Sequence, residues 1–192
     1  VELAQRFLAR LHPLTSFVDV VASQPTLRHE TVQMALLDGS DMLYVARSDG
    51  DQPILISSAV GKRLPDNCTA VGKASLALVP PEDRGLPDPL PALTERSIDD
   101  PGELEAAIAE TVARGYAVDD EEASPGVTCL AVARRTPRSE IYAISATLLK
   151  SRLTPQLRDA IVRDLLATAD TLFPPALGSA DSHRQARRSR SG

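Results

Sequence analysis

The sequence predicts an α+β fold in which helices pack on an antiparallel sheet. Three observations carry that prediction. Apolar residues recur every three or four positions in segments near both ends of the chain. Between them, short β-rich runs are joined by the turns Asp38-Gly39 and Asp49-Gly50. Helix-start signals mark two further points: Asp100-Pro101 with Glu103 behind it, and Thr154-Pro155.

The first helix is expected over residues 3–21. Leu3, Phe7, Leu11, Leu14, Val18 and Val21 form its stripe, widened by Leu8 and Phe17. Pro13 should kink this helix or start a second one after His12. The stripe begins without a capping signal, which suggests that the helix continues upstream in a longer protein. Thr31–Leu37, Met42–Ser48 and Ile54–Val60 then make an antiparallel meander of three strands. A short helix from about Thr69 to Val79 follows, capped by Asn67 or Thr69 and stopped by Pro80-Pro81. Residues 80–98 carry five prolines and are loop. Asp100 caps the next helix, with Leu104, Ala107, Ile108 and Val112 as its apolar face and Gly115 as its stop. Tyr116–Val118 enters a strand, and Asp119-Asp120-Glu121-Glu122 has the composition of a solvated turn. Val127–Arg135 and Ile141–Leu148 are two more strands. The last helix carries Leu157, Ile161, Leu165, Ala169 and Leu172 on one face and ends at Pro174-Pro175.

Composition excludes several function classes. The 192 residues are 43% apolar and 24% charged, an ordinary globular balance for one domain with appendages. No run of about 18 apolar residues is present, so no membrane partner is expected. The start, Val1–Arg6, lacks the features of a signal peptide. Cys68 and Cys129 alone make neither a disulfide framework nor a zinc site, and a cytoplasmic, reduced protein is expected. Residues 179–192 hold four arginines and one acid. Removing these from the totals of 21 basic and 26 acidic residues leaves a body of 17 against 25, a net charge of −8. Such a body is a poor phosphate binder, so the chain by itself should not grip DNA. His12, His29 and His183 lie at no metal-ligand spacing, and no phosphate-binding or nucleophile motif occurs. No metal, cofactor or catalytic residue is therefore expected.

Three places carry more chemistry. Around Asn67–Lys73 a helix begins with Thr69, Ala70 and Gly72 on its first turn. Helix starts offer free N–H groups to anions, and small residues let a ligand reach the backbone. The same small residues also suit close packing of the helix on the sheet. Cys129 lies on the strand Gly126–Ala131, where a cysteine is more often a small buried hydrophobe than a nucleophile. Ser145 and Thr147 are two apart on a strand, so both hydroxyls face one side. A face with Cys, Ser and Thr beneath a helix start makes a small cavity with a few polar handles, suited to a small carboxylate.

The quoted segments combine into a pattern. It runs Val60-Gly61-Lys62-Arg63-Leu64-Pro65, then Cys68-Thr69-Ala70-Val71-Gly72-Lys73-Ala74-Ser75-Leu76-Ala77. Arg114-Gly115-Tyr116-Ala117-Val118-Asp119-Asp120-Glu121-Glu122 follows, then Gly126-Val127-Thr128-Cys129-Leu130-Ala131-Val132-Ala133 and Ile144-Ser145-Ala146-Thr147. In order and spacing it resembles the effector-binding domain of the IclR (isocitrate lyase regulator) family of bacterial transcription regulators, over about residues 3–175. The resemblance implies a GAF- or profilin-like fold, with a curved antiparallel sheet of about six strands flanked by helices. It implies that residues 1–23 belong to a linker from a winged helix-turn-helix domain absent from this chain, and that residues 24–178 are the effector-binding domain. Residues 179–192 remain as a disordered, Arg-rich tail. Members form dimers or tetramers, bind a small metabolite, often an organic or aromatic acid, and touch DNA only through the missing domain. The site carried over consists of the backbone N–H groups of Ala70 and Val71, the side chains of Asp119, Cys129, Ser145 and Thr147, and an apolar wall from Leu64 and Val127. The basic turn Arg134-Arg135-Thr136-Pro137-Arg138 departs from the apolar-Pro-Val ending that members often carry.

Two other functions compete. One is a dimerisation module whose pocket is vestigial and filled by side chains. The other is a GAF-like cysteine redox enzyme using Cys68 and Cys129, which requires an accessible thiol of depressed pKa. No base stands near either cysteine in sequence, so the expected protein is not an enzyme.

Overall fold

The computed structural model describes residues 2–51 and 59–174, with side chains from residue 13 onward. Its helices are α1 (Glu2–Ser23), α2 (Ala70–Leu76), α3 (Pro101–Arg114) and α4 (Pro155–Leu172). Its strands are β1 (Thr31–Asp38), β2 (Asp41–Ser48), β3 (Arg63–Pro65), β4 (Ala117–Asp120), β5 (Val127–Arg135) and β6 (Ile141–Leu149). They form one curved sheet in the order β3-β2-β1-β6-β5-β4, antiparallel throughout. The α+β architecture expected from the sequence is the one observed. The centre of the sheet is β1 beside β6, so strands from opposite ends of the chain are neighbours.

Strand side chains alternate between two faces, and each face has its own cover. Val32, Met34, Leu130, Val132, Ile144, Ala146 and Leu148 point to one side. There they pack with Phe17 and Val21 of α1 and with Ile161, Leu165, Ala169 and Leu172 of α4. The opposite face carries Ala35, Tyr44, Ala117, Ala131 and Ala143, packed with Ala70, Val71 and Ala74 of α2. Behind α2, Leu76 meets Leu90 and the α3 residues Leu104 and Ile108. A layer of alanines on the sheet thus lets a short helix sit low over it.

The local signals for helix starts are met, while α2 ends at Leu76, short of the Val79 expected before Pro80-Pro81. Thr69, Asp100 and Thr154 each cap a helix by accepting from the backbone N–H three residues on. Gly115 closes α3 in the left-handed conformation, φ 83°, where a β-carbon is strained.

Several expectations need correction. Of the two outcomes expected at Pro13, a second start after His12 does not occur: α1 runs through it as one helix. A proline removes one backbone bond, and the burial of Phe17 and Val21 beyond it holds the segment to the sheet. Val18, assigned to the α1 stripe, is exposed, and Phe17 takes the central place. On α3 the inward residue is Thr111, while Val112 is exposed. Asn67 is not a cap; its amide donates to the carbonyls of Pro91 and Ile98 and anchors the proline-rich loop. The expected strand at Ile54–Val60 falls largely outside the described residues, and Val60 is in a turn. The third described strand is Arg63–Pro65, too short to show an alternating pattern. The tail 179–192 also lies outside the described residues.

Candidate functional site

Strand register builds the site. Thr31 pairs with Thr147, Thr147 with Cys129 and Cys129 with Asp119, a row crossing β1, β6, β5 and β4. The adjacent row on the same face runs Gln33, Ser145, Ala131, Ala117. The Cys129 Sγ lies 3.3 Å from the Thr147 hydroxyl, since the register of β5 and β6 puts the two side by side. Polar groups of four strands therefore converge where two rows meet beneath α2.

The start of α2 closes the space from above. The Thr69 hydroxyl accepts from Gly72 N–H at 3.1 Å and itself donates to the Pro65 carbonyl. The first N–H groups of a helix have no acceptor within the helix, so those of Ala70 and Val71 stay open. A β-carbon added at Gly72 would lie 2.0 Å from the Asp66 carbonyl oxygen. Gly72 therefore serves the loop before the helix, not contact with the sheet. Ala70, Val71 and Ala74 make that contact.

All eight residues singled out from the sequence line one cavity of about 30 Å³: Leu64, Ala70, Val71, Asp119, Val127, Cys129, Ser145 and Thr147. Five more residues lie around it: Gln33, Tyr44, Thr69, Ala123 and Ser124. This volume holds on the order of two waters. None of these lining residues is Lys, Arg or His.

The acidic run Asp119–Glu122, which begins within β4, is not a solvated turn. Asp119 is 2% exposed and Glu122 6%. The Asp119 Oδ1 accepts from Glu122 N–H at 2.8 Å and from Ala123 N–H at 3.3 Å, which folds the loop back on its own carboxylate. Glu122 pairs with the buried ammonium of Lys73, locking α2 to this loop. Thr94 and Ser97 of the proline-rich loop donate to the carbonyl of Glu122 at 3.1 and 2.7 Å. Burial, and next the nearby Glu122, push the Asp119 carboxyl up to about 7.

The thiols are not activated. Burial, then the Asp119 and Glu122 carboxylates, push Cys68 up to about 12. Burial and Asp119 push Cys129 well above its ordinary value, and burial likewise raises the Tyr44 phenol. A redox or nucleophilic role requires the opposite shift.

Sequence reasoning missed Gln33, Tyr44 and the Lys73–Glu122 pair. Gln33 offered one signal, a long polar side chain between Val32 and Met34 in a strand of core residues. Lys73 and Glu122 are 49 positions apart and offered none.

The family model described as "Bacterial transcriptional regulator IclR C-terminal" matches residues 14–173. The chain belongs to this family. The Pca regulon regulatory protein of Pseudomonas putida is 36% identical over 131 residues, covering 62% of this chain and 44% of that protein. This IclR-type chain thus spans about half the length of the curated relatives it matches. The crystal structure of the repressor BlcR from Agrobacterium tumefaciens superimposes with a TM-score of 0.79 at 30% identity, covering 89% of this chain and 69% of that one. A double mutant of the inducer-binding domain of PobR from Acinetobacter, in complex with 3-hydroxybenzoic acid, matches with a TM-score of 0.66 at 26% identity. It covers 83% of this chain and 96% of that domain. No helix among the described residues is long and apolar enough to cross a membrane.

Proposed function

We propose that this chain senses a small organic acid for a bacterial transcription regulator, through the cavity beneath α2. One observation carries the proposal. Ala70, Val71, Ser145, Thr147, Cys129 and Asp119 line a single, partly open space, where the start of α2 offers its first N–H groups and the strands offer hydroxyls, a thiol and a carboxyl. Leu64 and Val127 add apolar wall for a carbon skeleton. The relative that holds 3-hydroxybenzoic acid supports an acid as the ligand class. At about 30 Å³ the space suits a small aliphatic acid. An aromatic acid requires the loop carrying Ala123 and Ser124 to give way.

In this reading the domain forms a dimer or tetramer, and a helix-turn-helix domain elsewhere in the regulator contacts DNA. The effector acts by binding one subunit arrangement more tightly than another, since only differential affinity shifts an equilibrium. The small volume favours one competing reading, a dimerisation module with a vestigial pocket.

A thermal-shift screen against small organic, aromatic and phosphorylated acids separates the two. A ligand at 100 times its Kd stabilises by about 2.7 kcal/mol. At roughly 2–4 °C per kcal/mol, Tm should rise by about 5–11 °C. Ser145→Ala should abolish the rise while leaving the unliganded Tm within about 2 °C. A broad panel with no shift favours the dimerisation module.

A further inference from the structure

The cavity presents an electrostatic problem to any anion. Its lining holds one carboxyl, Asp119, and no cationic side chain. The cation that acts on Asp119, Lys73, is held by Glu122 in a buried ion pair whose side chains are 3% and 8% exposed. Lys73 pairs directly with Glu122; burial and Glu122 push the Asp119 carboxyl up, outweighing the Lys73 charge that pulls it down. The other titratable groups facing Asp119 bring no positive charge: Cys129 from β5, Cys68 from the loop before α2 and Tyr44 from β2. A carboxylate ligand seated here would place two like charges in one water-poor space. At short range and reduced dielectric, that repulsion offsets much of what a few hydrogen bonds return.

We propose that an anionic effector enters this cavity together with one proton from solvent, carried by Asp119. The inference rests on the sensing role proposed above. Geometry leaves the proton a place. Oδ1 is occupied by the N–H groups of Glu122 and Ala123, so the carboxyl stays anchored whichever state it is in. The proton goes to the other oxygen, where a protonated carboxyl becomes a donor toward the incoming carboxylate. Two carboxyl groups sharing one proton form a stable close pair, where two carboxylates do not. The Asp119 carboxyl already titrates near pH 7 without a ligand, so the proton is available at neutral pH. The site would thus respond to the product of acid and proton concentrations, binding its effector more tightly as the surroundings acidify.

The test uses 3-hydroxybenzoate and acetate as probes, titrated by calorimetry between pH 6 and 8.5 in buffers of different ionisation heat. Wild-type affinity should weaken by up to about tenfold per pH unit above 7, with proton uptake approaching one per ligand at pH 8. Asp119→Asn mimics the protonated carboxyl and keeps an oxygen for the Glu122 and Ala123 N–H groups. Its affinity should be flat across the range, with no proton uptake, and should exceed that of wild type at pH 8. Binding by wild type that is independent of pH, with no buffer-dependent heat, overturns the proton linkage and leaves the sensing role standing. Failure of both probes and of the whole acid panel at every pH overturns both.

Discussion

A β-carbon at Gly72 would collide with the Asp66 carbonyl, and the clash is with backbone, which has little room to yield. Gly72→Ala should therefore destabilise the domain by roughly 1–3 kcal/mol. Chemical denaturation checks this, and a neutral result would mean that the loop at Asp66 is free to retreat. The residue type was visible in the sequence, but its reason was not. Small residues near a helix start fit a ligand, a sheet or a loop equally well, and the choice depends on where residue 66 folds. Asp119 and Glu122 show the same limit. Four successive acids have the composition of surface, yet two of them are buried because a lysine 49 positions earlier meets one and backbone N–H groups meet the other.

At the scale of elements, the Lys73–Glu122 pair joins α2 to the loop after β4. Lys73→Met should cost about 3–5 kcal/mol, because it leaves a buried carboxylate without its counterion. The double variant Lys73→Met, Glu122→Leu should recover most of that loss. Equal losses in the single and double variants would show that the pair holds geometry and not merely charge. Element boundaries were legible wherever the signal is local. The Asp-Gly turn before β2 and the Asp100-Pro101…Glu103 start of α3 lie in the chain exactly where the backbone needs them. β3 was not legible: three residues have no period, and its place at the sheet edge depends on pairing with Asp41, Met42 and Leu43. Cys129, Ser145 and Thr147 were legible as one face because alternation is local. Gln33 beside Ser145 was not, since β1 and β6 are joined only by the tertiary fold.

For the molecule as a whole, two buried carboxyls set a pH trend. Burial pushes the Asp66 carboxyl up to about 7, outweighing the backbone N–H groups that hold it down; Asp119 stands at about 7 as well. Both bind protons more readily folded than unfolded. Their contribution to stability is full below about pH 4 and is lost as pH rises through 7. The Tm of the domain should accordingly fall between pH 5 and 8. Asp66→Asn, outside the cavity, should stabilise the domain more at pH 8 than at pH 5, by roughly 1–3 kcal/mol, and lose its advantage below about pH 4. A gain that is the same at both pH values would assign the effect to packing. The order of strands has a consequence in time as well as in space. Thr31 and Gln33 leave the ribosome more than a hundred residues before their partners Thr147 and Ser145. Until β6 is synthesised, the first half of the sheet has an open edge and half of the candidate cavity. On the proposed sensing role, a nascent chain is therefore blind to its effector until β6 has emerged, and fragments ending before residue 141 should neither respond to it nor be rescued by it.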